Sequence, residues 1–101
     1  MKSLKLELSQ MHEAAGEACR LMHVLSNPDR LLLLCQLSQG EQCVSELEVL
    51  LGIVQPTLSQ QLTVLRDEAL VNTRREGKNI YYQIASPQAL AVLQVLYKQY
   101  H

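Results

Sequence analysis

Between residues 44 and 84 the apolar side chains change their spacing once, from helical to alternating. That single change limits the folds open to this chain. Leu47, Leu50 and Leu51 mark a short helix that Gly52 closes. A second helix follows almost at once, over residues 55–68, with Leu58, Leu62 and Leu65 on its inner side. Two short helices separated by only Gly52, Ile53 and Val54 read as a helix-turn-helix. Residues 71–75 and 80–84 then alternate as strands do, and Glu76-Gly77-Lys78-Asn79 supplies the turn. A two-stranded hairpin is not stable alone in water. It must pack on the helices before it, which sets its tip beside the second of them.

The flanks are helical. Met11, Ala14, Ala15, Ala18, Leu21, Met22 and Leu25 keep helical spacing over residues 9–25, with Ser9 as the expected N-cap. Asn27 caps a helix over 28–37, where Pro28 at the first position gives up no needed donor. Leu31-Leu32-Leu33-Leu34-Cys35 is apolar nearly all round, so this helix is expected to be central and buried. Cys43 takes the N-cap of the next helix, with Glu46 completing a capping box. Ser86-Pro87 opens a terminal helix whose apolar side carries Leu90, Leu93, Leu96, Tyr97 and Tyr100. The expected fold is one domain over residues 1–101, mainly α with a β-hairpin wing, a winged helix-turn-helix of about five helices plus two strands. With no Phe or Trp, a core of this size gains from burying more surface in a dimer.

The formal net charge is −1, so bulk charge does not point to nucleic acid, but its distribution does. Arg66, Arg74, Arg75 and Lys78 fall close together. The outward positions of the helix over 55–68, namely Thr57, Ser59, Gln60, Gln61 and Thr63, are amides and hydroxyls rather than a Glu/Lys mixture. Amides pair with adenine, hydroxyls meet bases or phosphates, and a helix fits the major groove. Arg74, Arg75 and Lys78 on a hairpin can reach phosphate or an adjoining minor groove. No nucleophile–base set, glycine-rich phosphate loop or paired acid site marks an enzyme, and no cofactor is implied. The charged and polar start of the chain lacks an apolar signal segment, and the longest apolar run is far too short for a bilayer. A cytoplasmic protein without membrane contact, its cysteines resting as thiols, is the expectation.

"LSNPDRLLLLCQL", "VSELEVLLGIVQPTLSQQLTVLRDEALV" and "TRREGKNIYYQI" resemble the ArsR/SmtB family of winged-helix repressors over about residues 15–100. The resemblance implies a homodimer joined through the first and last helices. It also implies duplex operator DNA with two inverted-repeat half-sites, released when an inducer acts. On it, Thr57, Ser59, Gln60 and Gln61, with Gln55 before them, correspond to the DNA-reading face, and Arg74, Arg75 and Lys78 to the wing. Val54 stands where many members carry a capping Ser, a loss of about 1 kcal/mol.

Many relatives sense metals, but the matching positions fail here. Cys43-Val44-Ser45 keeps one of two thiolates, and Ser86, Gln88 and Gln99 replace ligands of the terminal-helix site. His12 and His23 read as solvated or helix-flanking residues rather than ligands. Closer is the thiol-switch branch, the BigR, SqrR and HlyU type, which carries a Cys in the Leu-rich second helix as Cys35 does. That resemblance implies reactive sulfur species or oxidants as the inducer. Its partner Cys near the chain end is here His101. Either Cys35 acts alone as a persulfide or sulfenic acid, or another thiol pairs with it, or the end of the given chain is altered. Cys43 and Cys19 are secondary thiols, read mainly as structural. A metal- or metalloid-responsive repressor and a protein-interaction module without DNA are the alternatives.

Overall fold

A computed structural model describes residues 7–101. The charged segment 1–6, on which the leader reading rests in part, lies outside the described residues. The order is α1 (Leu8–Leu25), α2 (Pro28–Leu37), β1 (Gln42–Cys43), α3 (Val44–Leu51), α4 (Thr57–Asp67), β2 (Val71–Glu76), β3 (Asn79–Ile84) and α5 (Pro87–Tyr100). This is the expected winged helix-turn-helix, with one strand more. The antiparallel sheet runs β1-β3-β2, and Gln42 pairs with Tyr82 while Cys43 pairs with Tyr81. Two residues are too few to show an alternating pattern, so β1 left no trace in the apolar spacing.

Leu33, Leu34, Leu47, Leu58, Leu62 and Leu65 form the fully buried centre. α2, α3 and α4 meet there, and Val71 and Tyr82 close it from the sheet. The helix over 28–37 is less buried than expected. Leu33, Leu34 and Leu37 face the core, but Leu32 and Cys35 are exposed. Apolar composition all round did not mean burial all round, because α2 packs on one side only within its own chain.

Local signals set most helix ends. Asn27 Oδ1 accepts from the Arg30 backbone N–H at 3.0 Å, and Ser86 Oγ accepts from the Ala89 N–H at 3.1 Å. The Cys43–Glu46 capping box forms, with the Cys43 N–H donating to Glu46 Oε1 at 2.9 Å. The N-cap of α1 is Glu7 and not the expected Ser9, because Glu7 and Gln10 close a capping box of their own. α4 starts at Thr57 instead of Gln55, with Pro56 at its N-cap. Its far end is a Schellman motif built on Ala69, φ 60°. There the Leu70 N–H donates to Leu65 O at 2.9 Å and the Ala69 N–H to Arg66 O at 3.0 Å. That left-handed residue turns the chain from α4 into β2.

α1 is joined to the rest mainly through its C-terminal turn. Val24 and Leu25 are buried, whereas every residue from Leu8 to Arg20 is exposed. On α5, Ala89 and Leu93 are buried and Val95, Tyr97 and Tyr100 are exposed. The apolar stripes of both outer helices are therefore left largely uncovered by their own chain. No helix among the described residues is long and apolar enough to cross a membrane.

Candidate nucleic-acid interface and thiol groove

α4 is anchored by Leu58, Leu62 and Leu65, each at most 1% exposed. Helical geometry then turns Ser59, Gln60 and Thr63 to solvent and leaves Thr57 half-buried. Ser59 and Gln60 stand free as expected. The Thr63 hydroxyl donates to Ser59 O at 2.8 Å, so it is spent on its own helix.

The two flanking glutamines are placed differently from expectation. Gln55 lies in the turn before α4, and its Oε1 accepts from the Ser59 backbone N–H at 3.1 Å. It supplies the cap that Val54 and Pro56 cannot. Gln61 was expected to point outward, but it is half-buried and its Oε1 accepts from Arg30 Nη1 at 2.9 Å. A bidentate adenine contact needs a free carbonyl and a free amide on one side chain. Of the three glutamines, Gln60 alone has both free among the described residues.

The wing is a tight hairpin. β2 and β3 pair from Val71–Ile84 to Glu76–Asn79, with Gly77 at φ 62° and Lys78 forming the tip. The left-handed first turn residue is what a two-residue hairpin loop requires. Arg75 and Lys78 are exposed, with no ion pair among the described residues. Arg74 is not free as expected. Its Nε and Nη2 donate to the two carboxylate oxygens of Glu41 at 2.8 and 2.7 Å. Its Nη1 reaches Glu76 at 2.6 Å, and the guanidinium lies 4.6 Å over the Tyr81 ring. Those hydrogen bonds push its pKa up still further, so it stays a cation that two carboxylates already neutralise. Glu41 lies in the loop before β1, and nothing in the sequence spacing signals its pairing with Arg74.

On the opposite side of α2, Cys35 and Ser38 line a groove of about 740 Å³ with Leu93, Tyr97, Lys98 and His101 at the end of α5. The imidazole of His101 stacks on Tyr97, with centroids 4.0 Å apart and planes 18° from parallel. Cys35 is exposed as a residue, yet desolvation against the groove pushes its thiol pKa up. Cys43 is buried, its Sγ 3.2 Å from Ser45 Oγ, and Cys19 is exposed on α1. Neither lines the groove. No three His, Cys, Asp or Glu side chains come together as metal ligands among the described residues.

The sequence profile of the "Bacterial regulatory protein, arsR family" matches residues 27–73, from the cap of α2 to the middle of β2. The Biofilm growth-associated repressor of Agrobacterium fabrum is 47% identical over 93 residues, covering 92% of this chain and 80% of its own. This chain belongs to the ArsR family. It is a DNA-binding transcriptional regulator with a winged helix, and its relatives in that family are named for regulation rather than catalysis. The crystal structure of the transcriptional repressor BigR from Xylella fastidiosa superposes with a TM-score of 0.88 at 43% identity, over 95% of this chain and 98% of that one. Reduced HlyU from Vibrio cholerae superposes with a TM-score of 0.87 at 35% identity, over 92% and 98%. The BigR and HlyU resemblance read from the Leu-rich second helix therefore holds over the whole fold.

Proposed function

We propose that this ArsR-family chain is a homodimeric repressor of operator DNA, and that modification of the Cys35 thiol releases it. One observation carries the DNA-reading assignment. A helix locked into the core by three leucines presents Thr57, Ser59 and Gln60 next to a wing with free Arg75 and Lys78. Gln60 reads a base edge, Ser59 and Thr57 meet bases or phosphate, and the two wing cations meet phosphate. Gln55 and Gln61 are held within the protein and shape this face rather than read from it.

The uncovered stripes of α1 and α5 support the homodimer. Leu8, Met11 and Met22 on α1 and Val95 and Tyr100 on α5 are all at least half exposed in the single chain. An inverted-repeat operator, with half-sites about one helical turn apart, follows from such a two-fold assembly.

For the inducer, the groove beside α5 supports chemistry at a single thiol. His101 lies opposite and Cys43 is buried, and among the described residues no second sulfur lines the groove with Cys35. A persulfide donor RS–SH fits. The Cys35 thiolate attacks the outer sulfur, a new S–S bond forms on Sγ, the donor's S–S bond breaks, and the donor leaves as its thiol. The enlarged side chain then presses on α5, half of the proposed dimer face. Reading of the operator fails when the two α4 helices no longer match their half-sites.

Selection of duplexes from a random pool by the reduced protein would supply an operator. Treatment with a low-molecular-weight persulfide should weaken binding of the parent and leave Cys35→Ser unchanged. Equal affinity of the parent before and after verified modification would reject the thiol switch. Release by stoichiometric zinc or antimonite, with Cys35→Ser responding normally, would place the chain with its metal-sensing relatives.

A further inference from the structure

One half-buried arginine joins the outer helix α1 to the proposed reading helix α4. Arg30 sits in the first turn of α2, and its own N–H is held by the Asn27 cap. Its Nε donates to Val24 O at 2.7 Å and its Nη2 to His23 O at 3.3 Å. Both carbonyls belong to the last turn of α1, where helix ends leave acceptors over; His23 O also accepts from the Ser26 hydroxyl at 2.6 Å and from its N–H at 3.3 Å, so Val24 O is the main anchor of the fork there. A cation there also suits the negative end of the α1 dipole. The remaining arm, Nη1, reaches across to Gln61 Oε1 on α4 at 2.9 Å. All three guanidinium nitrogens are thus engaged on two helices other than its own. Arginine's planar fork can hold three acceptors in fixed directions, which a single lysine ammonium cannot do in this geometry.

We propose that Arg30 is a positioning residue that sets the angle between α1 and α4, with Gln61 as its acceptor on α4. This rests on the homodimer and DNA-reading assignment given above. If α1 lies in the dimer face and α4 reads DNA, the distance between the two reading helices depends on how α4 is held relative to α1. The Arg30 fork is the part-buried polar tie between them. The other tie, Arg20 to Glu68 at 3.0 Å, is exposed and weak by comparison. Gln61 therefore serves spacing rather than base identity. Its orientation follows from the chemistry of its partner, because a guanidinium only donates and so fixes the carbonyl end of the amide.

The test uses the full-length protein and duplexes selected from a random pool, then rebuilt with the half-site spacing changed by one base pair in either direction. The parent should discriminate against both altered spacings. Gln61→Ala cuts the α4 arm while leaving the α1 cap intact. It should reduce that discrimination by about tenfold or more, the scale of a single lost hydrogen bond to a charged group. Gln61→Glu, which still accepts from Arg30, should keep the discrimination even where added negative charge lowers overall affinity. Arg30→Lys should behave as Gln61→Ala. Unchanged spacing discrimination in Gln61→Ala, with circular dichroism showing a folded protein, overturns the proposal. So does a changed base preference at one operator position, which would make Gln61 a reader. If the parent selects no duplex at all, the DNA-reading assignment itself falls, a separate result from either of these.

Discussion

Removing Arg74 and removing Arg75 should have different effects on DNA binding although the residues are neighbours in sequence. Each phosphate neutralised by a protein cation adds about 0.9 to the negative slope of log affinity against log salt. Arg75 is exposed and without an acidic partner among the described residues, so it is available for phosphate. In a dimer the substitution counts twice, and Arg75→Ala should flatten the slope by about 1.8. Between about 50 and 200 mM salt that amounts to a roughly twelvefold change in the ratio of parent to variant affinity, with the defect largest at low salt. Arg74 already lies between Glu41 and Glu76, and to contact phosphate it must give up a bidentate carboxylate pair. Arg74→Ala should therefore change the slope by less than about half as much, although both variants lose the same formal charge. Fluorescence anisotropy of a labelled operator duplex across a potassium chloride series measures both slopes. Equal flattening by the two variants would refute the idea that the acidic pair removes Arg74 from the interface.

Other outcomes follow from single side chains. Gln60→Ala should cost about 1–3 kcal/mol on a selected operator and relax base preference at one position per half-site, with little loss on random duplex; competition binding measures both. Ala69→Gly should stabilise the protein by about 0.5–1 kcal/mol in denaturant melts at fixed protein concentration, since an alanine at φ 60° carries a Cβ penalty that glycine avoids. Alkylation of Cys35 by iodoacetamide should rise with pH through a midpoint above that of a free cysteine thiol. Desolvation favours its neutral form, so the reactive thiolate appears only at higher pH. A midpoint below that of a simple cysteine peptide would contradict the groove environment described for it.

The helix-turn-helix and the wing were legible because their signals are local and periodic. Leu58, Leu62 and Leu65 share one helix face, and Gly77 marks the hairpin turn. Capping residues were legible for the same reason, as Asn27, Cys43 and Ser86 show. What could not be read was pairing across the chain. Arg30 to Gln61 spans 31 positions and Arg74 to Glu41 spans 33. Nothing in composition distinguishes those partners from solvated residues. The spacing therefore leaves Gln61 and Arg74 on exposed faces and gives Arg30 no mark at all. Ala69 was hidden differently, because a left-handed helix end is normally signalled by glycine.

α2 stands between the two halves of the proposed switch. Arg30 lies near its start and Cys35 on its last turns, five residues on. Five residues turn an α-helix by about 140° beyond one full turn and advance it by about 7.5 Å. The thiol and the guanidinium therefore leave opposite sides of one short helix, the thiol toward α5 and the guanidinium toward α1 and α4. A ten-residue helix with Leu33 and Leu34 wholly buried moves as a unit or not at all. A bulky group added on Cys35 can be accommodated by α5 moving away or by α2 tilting. The first disturbs the dimer face directly, and the second pulls on the Arg30 fork and so on α4. Both routes change the same quantity, the separation of the reading helices. On that geometry, the proposed thiol switch does not require a second thiol. A single enlarged side chain in the groove is enough, provided that α5 and α2 remain in contact through it.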